Sequence, residues 1–322
     1  MLQRRTGGKM REPIVYLGGG FTPASQAKVN IYDFGIVLGA TVTDQLRTFH
    51  HEPFRLEEHV ERFFESAKYA RLTVPIGPGE TMARTRELIR HNAGLLPAGA
   101  DLGVVYFLTP GENLGYAGNA ADFKPGEPTF CIHSFPLPFA AFQRFFTEGA
   151  HVVTPSTRHV PPQCLDQKIK HRSRLHWWIA EKEAQLVDPD AVPLLLDLDG
   201  NLTECSGSNL LLVKKGAVYS PTAANMLRGA SREVVSEICA ELGIGFESRD
   251  LQVHDAINAD EIFLVTTPYC MAPVTRINGL PVRDGEVGGA IFERILAAWS
   301  EKAGLDIRGQ VLGAEEDQEG AA

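Results

Sequence analysis

The stretch from Pro193 to Tyr219 limits the possible folds more than any other part of the chain. Four short apolar runs, Pro193 to Asp197, Leu202 to Glu204, Asn209 to Val213 and Ala217 to Tyr219, follow one another with gaps too short for a helix. Asp199-Gly200 and Lys215-Gly216 supply the positive backbone φ values that tight hairpins need. The segment therefore reads as a meander, and any fold for this chain must contain a sheet built on hairpins. A strand at Ala150 to Thr154 and a helix from about Arg172 to Leu186 precede it. A helix at Ser231 to Leu242, a buried strand at Ile262 to Thr266 and an amphipathic helix at Val287 to Trp299 follow.

The first half has a different texture. Runs rich in β-branched and aromatic residues (Ile14 to Leu17, Val29 to Tyr32, Val104 to Thr109, Thr129 to Ser134) alternate with helical stretches at Leu56 to Arg71 and Glu80 to His91. Val60, Phe63, Phe64 and Ala67 recur at three- and four-residue intervals on the first of these helices. Between Phe135 and Glu148 the pattern breaks into prolines and a run of phenylalanines, which reads as a connection between domains. We expect an N-terminal domain over 12–140, a C-terminal domain over 141–312, and flexible ends at 1–11 and 313–322, where large apolar residues are scarce.

Composition excludes several function classes. With 31 Lys plus Arg against 40 Asp plus Glu, the net charge of −9 opposes the positive field that nucleic-acid backbones require. No apolar run approaches the roughly 20 residues of a membrane span, so no membrane association is expected. The five cysteines are odd in number and never spaced C-x-x-C, and no histidine pair has the i, i+4 spacing of a helical metal site. We expect a reducing, cytoplasmic setting and no metal.

Four short segments carry the chemistry. Lys168-Ile-Lys170-His-Arg172-Ser-Arg174 packs four fixed cations and a histidine into seven residues ahead of an apolar helix with Trp177 and Trp178. A solvated basic face is the plain reading. If instead one lysine is poorly solvated, a neighbouring cation at ~8 Å costs its ammonium form roughly 2 kcal/mol at an effective dielectric of about 20, which favours a Schiff-base-forming amine. Leu227-Arg-Gly-Ala230-Ser231-Arg opens a helix with small residues, so free amides and a hydroxyl can meet an anion. Thr266-Thr267-Pro268 ends a strand with two hydroxyls, and Glu204 stands at the end of a hairpin strand, where a carboxylate can hold a proton on a pyridine-type nitrogen. A lysine, a phosphate cradle and an acid together describe a pyridoxal 5'-phosphate site.

These residues resemble the fold-type IV pyridoxal-phosphate enzymes, or class IV aminotransferases, a family that includes branched-chain aminotransferase, D-amino-acid aminotransferase and aminodeoxychorismate lyase. The likeness runs from Val29 to Trp299. It is strongest in Asp197-Leu-Asp-Gly-Asn-Leu-Thr-Glu204-Cys-Ser-Gly-Ser-Asn209-Leu, in Leu227-Arg-Gly-Ala-Ser-Arg and in Ala259-Asp-Glu-Ile-Phe-Leu-Val-Thr-Thr267. The resemblance implies an α+β, two-domain fold-type IV architecture, with a smaller α/β N-terminal domain and a larger pseudo-barrel C-terminal domain. It assigns the Schiff base to Lys170, five residues before Leu175, and the ring-nitrogen partner to Glu204. Arg62 matches the phosphate-binding arginine, Leu227 the residue packing on the cofactor ring, and Ala230, Ser231, Thr266 and Thr267 the phosphate cup.

The sequence departs from the family where substrate should bind. Gly-Asp-Gly-x-Phe-Glu becomes Gly39-Ala-Thr-Val-Thr-Asp44, Tyr-x-Arg becomes Val105-Tyr106-Phe107, and the tyrosine after the lysine falls in Ser173-Arg174-Leu175. Arginines that bind carboxylate in D-amino-acid aminotransferase and the lyase fall at Pro110 and near Leu114. Asp44, Tyr106, Arg158 and Arg174 stand as candidate substrate contacts. The implied activity is amino transfer between an amino acid and a 2-oxo acid, like branched-chain aminotransferase. The alternatives are a β-elimination lyase of the aminodeoxychorismate type and a catalytically silent, anion-binding homologue. The family implies a homodimer, with exposed Phe142, Phe145 and Phe146 available to an interface.

Overall fold

The computed structural model describes residues 12–97, 99–119, 123–222, 224 and 226–313, so the expectation of flexible ends lies, apart from Gly313, outside the described residues. The chain divides into two units, Met1–Leu137 and Pro138–Ala322. In the first, β1 (Ile14–Leu17), β2 (Gly20–Pro23), β3 (Val42–Phe49), β4 (Glu52–Pro53), β5 (Leu102–Thr109) and β6 (Thr129–Pro136) form an antiparallel sheet in the order β2-β1-β6-β5-β3-β4. A short α1 (Phe34–Val37) precedes β3, while α2 (Leu56–Tyr69) and α3 (Pro78–Ala93) follow β4. Alternation along a strand sends every second side chain to one face. Val42 and Leu46 of β3 and Val104, Tyr106 and Leu108 of β5 thus share a core with Val60, Phe63, Leu88 and Ile89 of the two helices.

Two readings of the sequence change here. Val29 to Tyr32 is not a strand: the Asn30 side chain accepts the Tyr32 N–H at 2.8 Å, a local bond that turns the chain and competes with a sheet ladder. The expected irregular connection around Phe135 to Glu148 contains α4 (Phe139–Thr147). Its prolines lie ahead of the helix, where a missing N–H costs no intrahelical bond. Phe145 and Phe146 are buried rather than exposed, Phe142 is half-buried, and Phe142 and Phe145 pack on the Tyr269 ring at 4.9 and 5.3 Å.

The second unit continues with β7 (Ala150–Val153), α5 (Leu175–Gln185), β8 (Val192–Leu196), β9 (Leu202–Cys205), β10 (Ser208–Lys214), β11 (Ala217–Ser220), α6 (Ala230–Glu241) and β12 (Phe246–Ser248). Then come α7 (Val253–Ile257), β13 (Glu261–Thr266), β14 (Cys270–Ile277), β15 (Leu280–Pro281), α8 (Ala290–Ala303) and α9 (Ile307–Leu312). The strands run in the order β12-β11-β10-β13-β14-β7-β8-β9, and β9 pairs back onto β10. Six strands thereby close a ring, the pseudo-barrel expected for this half. The Lys215-Gly216 hairpin has φ of 51° and 78°, the left-handed pair that a two-residue connection between twisted strands requires. No helix of the described residues is long and apolar enough to cross a membrane.

Candidate active site

Strand β10 gathers the site. Asn209 pairs with Glu204 of β9 on one side and with Val265 of β13 on the other, so the acid and the Thr266-Thr267 pair arrive at the same end of the ring. The Asn209 amide extends that link to a helix: Nδ2 donates to Glu204 Oε2 at 3.2 Å and to the Leu227 carbonyl at 3.0 Å. This ties the segment leading into α6 beside the acid. Gly229 is the N-cap of α6 and offers no side-chain cap, so the first amides of a twelve-residue helix keep their positive field for an anion. Ser231 in that first turn is buried, the Thr266 hydroxyl donates to the Gly207 carbonyl at 2.5 Å, and half-buried Leu227 lies alongside.

A Cβ on Gly229 would stand 2.2 Å from Asn209 Oδ1. Asn209 cannot swing aside without releasing both Glu204 and Leu227. Gly229→Ala is therefore expected to lower affinity for an added phosphate-bearing cofactor by roughly 10-fold or more, the loss of one or two hydrogen bonds to charged or buried groups. A cofactor titration checks this, and an unchanged dissociation constant would show that Asn209 is free to move.

Lys170 lies in the irregular segment between β7 and α5 and is half-buried. Its neighbour Lys168 is exposed and pairs with Asp166, Nζ to Oδ2 at 3.3 Å. The surroundings of Lys170 are poorly solvated: burial and then the Arg174 charge push the His171 imidazole down to about 4, and burial with neighbouring His159 pushes His176 down to about 4. Burial also lowers Arg174, against the field of Glu204. The plain solvated-face reading of the basic run therefore holds for Lys168 but not for His171, next to Lys170 in the chain.

The candidate substrate contacts fare differently. Asp44 is fully buried and takes both Arg62 Nε at 2.7 Å and Nη2 at 2.8 Å, with His59 Nδ1 at 2.7 Å. Tyr106, opposite Asp44 in register, is also fully buried, with its hydroxyl 2.9 Å from Thr85 Oγ1 of α3. Both sit on the helix-covered face of the sheet, so neither is open to a small molecule. The opposite face carries Thr43, Gln45, Arg47, Val105 and Phe107. Arg158 is exposed and donates to the Pro155 and Ser156 carbonyls of its own loop at 3.1 and 3.2 Å. Arg174 donates to the Ser206 carbonyl, and its guanidinium carbon lies 5.5 Å from the centre of the Trp177 ring. Arg62, on α2 in the first unit, is 14% exposed and fixed by Asp44.

Sequence reasoning gave no role to Asn209 or to His159, whose Nε2 lies 3.4 Å from Glu204 Oε1. Asn209 was readable as the amide ending the small-residue turn after Glu204. His159 carries no local signal, because only the fold brings it to β9.

Residues 41–277 match the family model for amino-transferase class IV. A Methanocaldococcus jannaschii protein provisionally named as a branched-chain-amino-acid aminotransferase is 30% identical over 277 residues, covering 85% of this chain and 91% of its own length. A Staphylococcus aureus D-alanine aminotransferase is 28% identical over 275 residues, covering 85% and 92%. Among solved structures, the Escherichia coli branched-chain amino acid aminotransferase superposes with a TM-score of 0.80 at 24% identity, covering 96% of this chain and 98% of that one. The closed strand ring, the uncapped helix beside Glu204 and a match over most of the sequence lead to one conclusion: this chain is a member of the class IV aminotransferase family.

Proposed function

We propose that the protein is a pyridoxal 5'-phosphate-dependent aminotransferase that moves an amino group between a branched-chain amino acid and a 2-oxo acid. The observation that carries this reading is the convergence, through Asn209, of the Glu204 carboxylate, the uncapped start of α6 and the Thr266-Thr267 pair at one end of the ring. That donor set suits a phosphorylated pyridine: amides and hydroxyls for the phosphate, a carboxylate for the ring nitrogen, and Lys170 for the aldehyde. When bound, pyridoxal phosphate supplies an electron sink for the pair left on the substrate's Cα. Lys170 Nζ takes the Cα proton and returns it, a task suited to an amine kept from full solvation. Glu204 would hold the proton on the ring nitrogen, and Ser231, Thr267 and a Thr266 hydroxyl turned from the Gly207 carbonyl would fix the phosphate.

The branched-chain assignment draws on the names of the relatives. A homodimer is supported by the exposed apolar side chains of Leu175, Trp178 and Ile179 on α5, and a cytoplasmic setting by the free cysteines of the described residues. The test is a single half-reaction. Protein loaded with pyridoxal phosphate is mixed with L-leucine, L-isoleucine, L-valine, D-alanine or an aromatic amino acid, and the cofactor's colour change is followed. The branched-chain L-amino acids are expected to give one equivalent of 2-oxo acid per site and at least about tenfold higher rates than D-alanine, a discrimination of ~1.4 kcal/mol. Faster reaction with D-alanine would redirect the substrate assignment. Catalytic release of pyruvate from an amino donor alone would replace transamination by elimination.

A further inference from the structure

Glu204 has a neighbour that the proposed chemistry leaves unused. His159 lies in the loop between β7 and α5, is 2% exposed, and is anchored by its backbone N–H donating to the Leu196 carbonyl at 2.9 Å. Its Nδ1 is 3.2 Å from the Val160 carbonyl oxygen. Its Nε2 is buried, has no hydrogen-bond partner among the described residues, and stands 3.4 Å from Glu204 Oε1. Each ring nitrogen thus faces an oxygen that, with the acid ionised, can only accept. A neutral imidazole has one N–H and one lone pair, so either tautomer turns a lone pair on an oxygen at a ring that is almost fully buried. The doubly protonated ring donates to the Val160 carbonyl and pairs its charge with the Glu204 carboxylate 3.4 Å away.

We propose that His159 carries a proton on both ring nitrogens and is a cationic positioning residue that keeps Glu204 ionised where it meets the cofactor's ring nitrogen. This rests on the reading of Glu204 given above and adds to it the source of the acid's charge. The other groups around His159 fit that task. The rings of His176 and Trp177, from the first turn of α5, lie 5.8 and 5.4 Å away edge-on and shield it. His171 and His176 are pushed down to about 4, burial being the largest cause for each, so neither competes as a cation near neutral pH. Arg174, at the start of α5, also acts on Glu204, but its guanidinium is already engaged by the Ser206 carbonyl and lies 5.5 Å from the centre of the Trp177 ring. A cation 3.4 Å from the acid favours the carboxylate over the carboxyl, and so leaves the shared proton on the ring nitrogen. In its absence, Glu204 takes that proton and the sink weakens.

The experiment uses the loaded enzyme, with 15N-labelled histidine in one sample and pyridoxal phosphate labelled with 15N in the ring in another. Wild type is compared with His159→Gln, His159→Arg and Glu204→Gln. At pH 7 both His159 nitrogens are expected to resonate as protonated nitrogens, assigned by their loss in the variants. The cofactor's ring nitrogen is expected to be protonated in wild type and in His159→Arg, and to move toward its unprotonated position in His159→Gln. Removal of the Cα proton should slow by roughly 10- to 100-fold in His159→Gln, the loss of an opposite charge beside the acid, and return to within about tenfold of wild type in His159→Arg. A neutral-tautomer signature for His159 at pH 7 overturns the proposal. A ring nitrogen that responds to Glu204→Gln but not to His159→Gln overturns it as well and leaves the reading of Glu204 standing. If neither substitution moves the ring nitrogen, the reading of Glu204 fails and the proposal with it. Should His159→Gln not fold, the histidine spectrum of the wild-type enzyme decides alone.

Discussion

Replacing Lys170 with alanine is expected to lower the rate of amino transfer by at least about 10³-fold, because one amine serves as both nucleophile and proton carrier and a positioned acid–base group alone is worth roughly 10²–10⁴. The same variant should keep its fold to within about 1 kcal/mol, since Lys170 is half-buried in an irregular segment and makes no part of the strand ring. Lys168→Ala is the internal control. Its side chain is 46% exposed and its ammonium is already engaged by Asp166, so its removal should change the rate less than about threefold. Borohydride treatment of wild type with pyridoxal phosphate, followed by peptide mapping, should find the reduced adduct on Lys170. An adduct on Lys168, or equal losses in the two variants, would move the chemistry to a different nitrogen.

How much of this was legible in the sequence depends on whether a feature is local. The β8–β11 meander was, because Asp199-Gly200 and Lys215-Gly216 declare hairpins without reference to distant residues; closure of the ring through β7, β13 and β14 was not, because those pairings join distant segments. Glu204, Ser231 and Thr266 were singled out for the same reason: each sits at a punctuated end of an element, where a side chain has few places to go. The faces of the first-unit sheet were not. Asp44 and Tyr106 were read as substrate contacts from their place in the chain, yet a strand's two faces differ only in what covers them. Here α2 and α3 cover the even-numbered side chains of β3 and β5. The helix α4 was hidden by the prolines that precede it, and His159 by a contact across 45 residues with no trace in local pattern.

The buried position of Asp44 leads to the second large effect. The acid is fully buried in the company of Arg62, 14% exposed, and His59, 3% exposed. Burial alone would raise the Asp44 carboxyl, but the Arg62 charge and the hydrogen bonds with His59 and Arg62 together outweigh burial and hold it well below the usual carboxylate range. Asp44→Ala strands two nitrogen-bearing side chains in the sheet–helix interface, which typically costs about 3–5 kcal/mol, or on the order of 10 °C in melting temperature. Asp44→Asn keeps the shape and loses the charge, so its cost should be smaller but still above about 1 kcal/mol. Asp44→Glu keeps the charge and adds a methylene to a filled core, at about 1–3 kcal/mol. The pH dependence separates charge from packing. A group whose folded-state affinity for protons is depressed stabilises the fold above its unfolded value, 3.8 for Asp44, and that stabilisation is lost as pH falls below it. Wild type and Asp44→Glu should therefore lose stability steeply from about pH 4 downward, while Asp44→Asn, with no carboxyl to protonate, should lose less over the same range. Urea unfolding monitored between neutral pH and pH 3 reads both curves. If they run parallel, Asp44 contributes shape rather than charge, and Arg62 is held by something other than the ion pair.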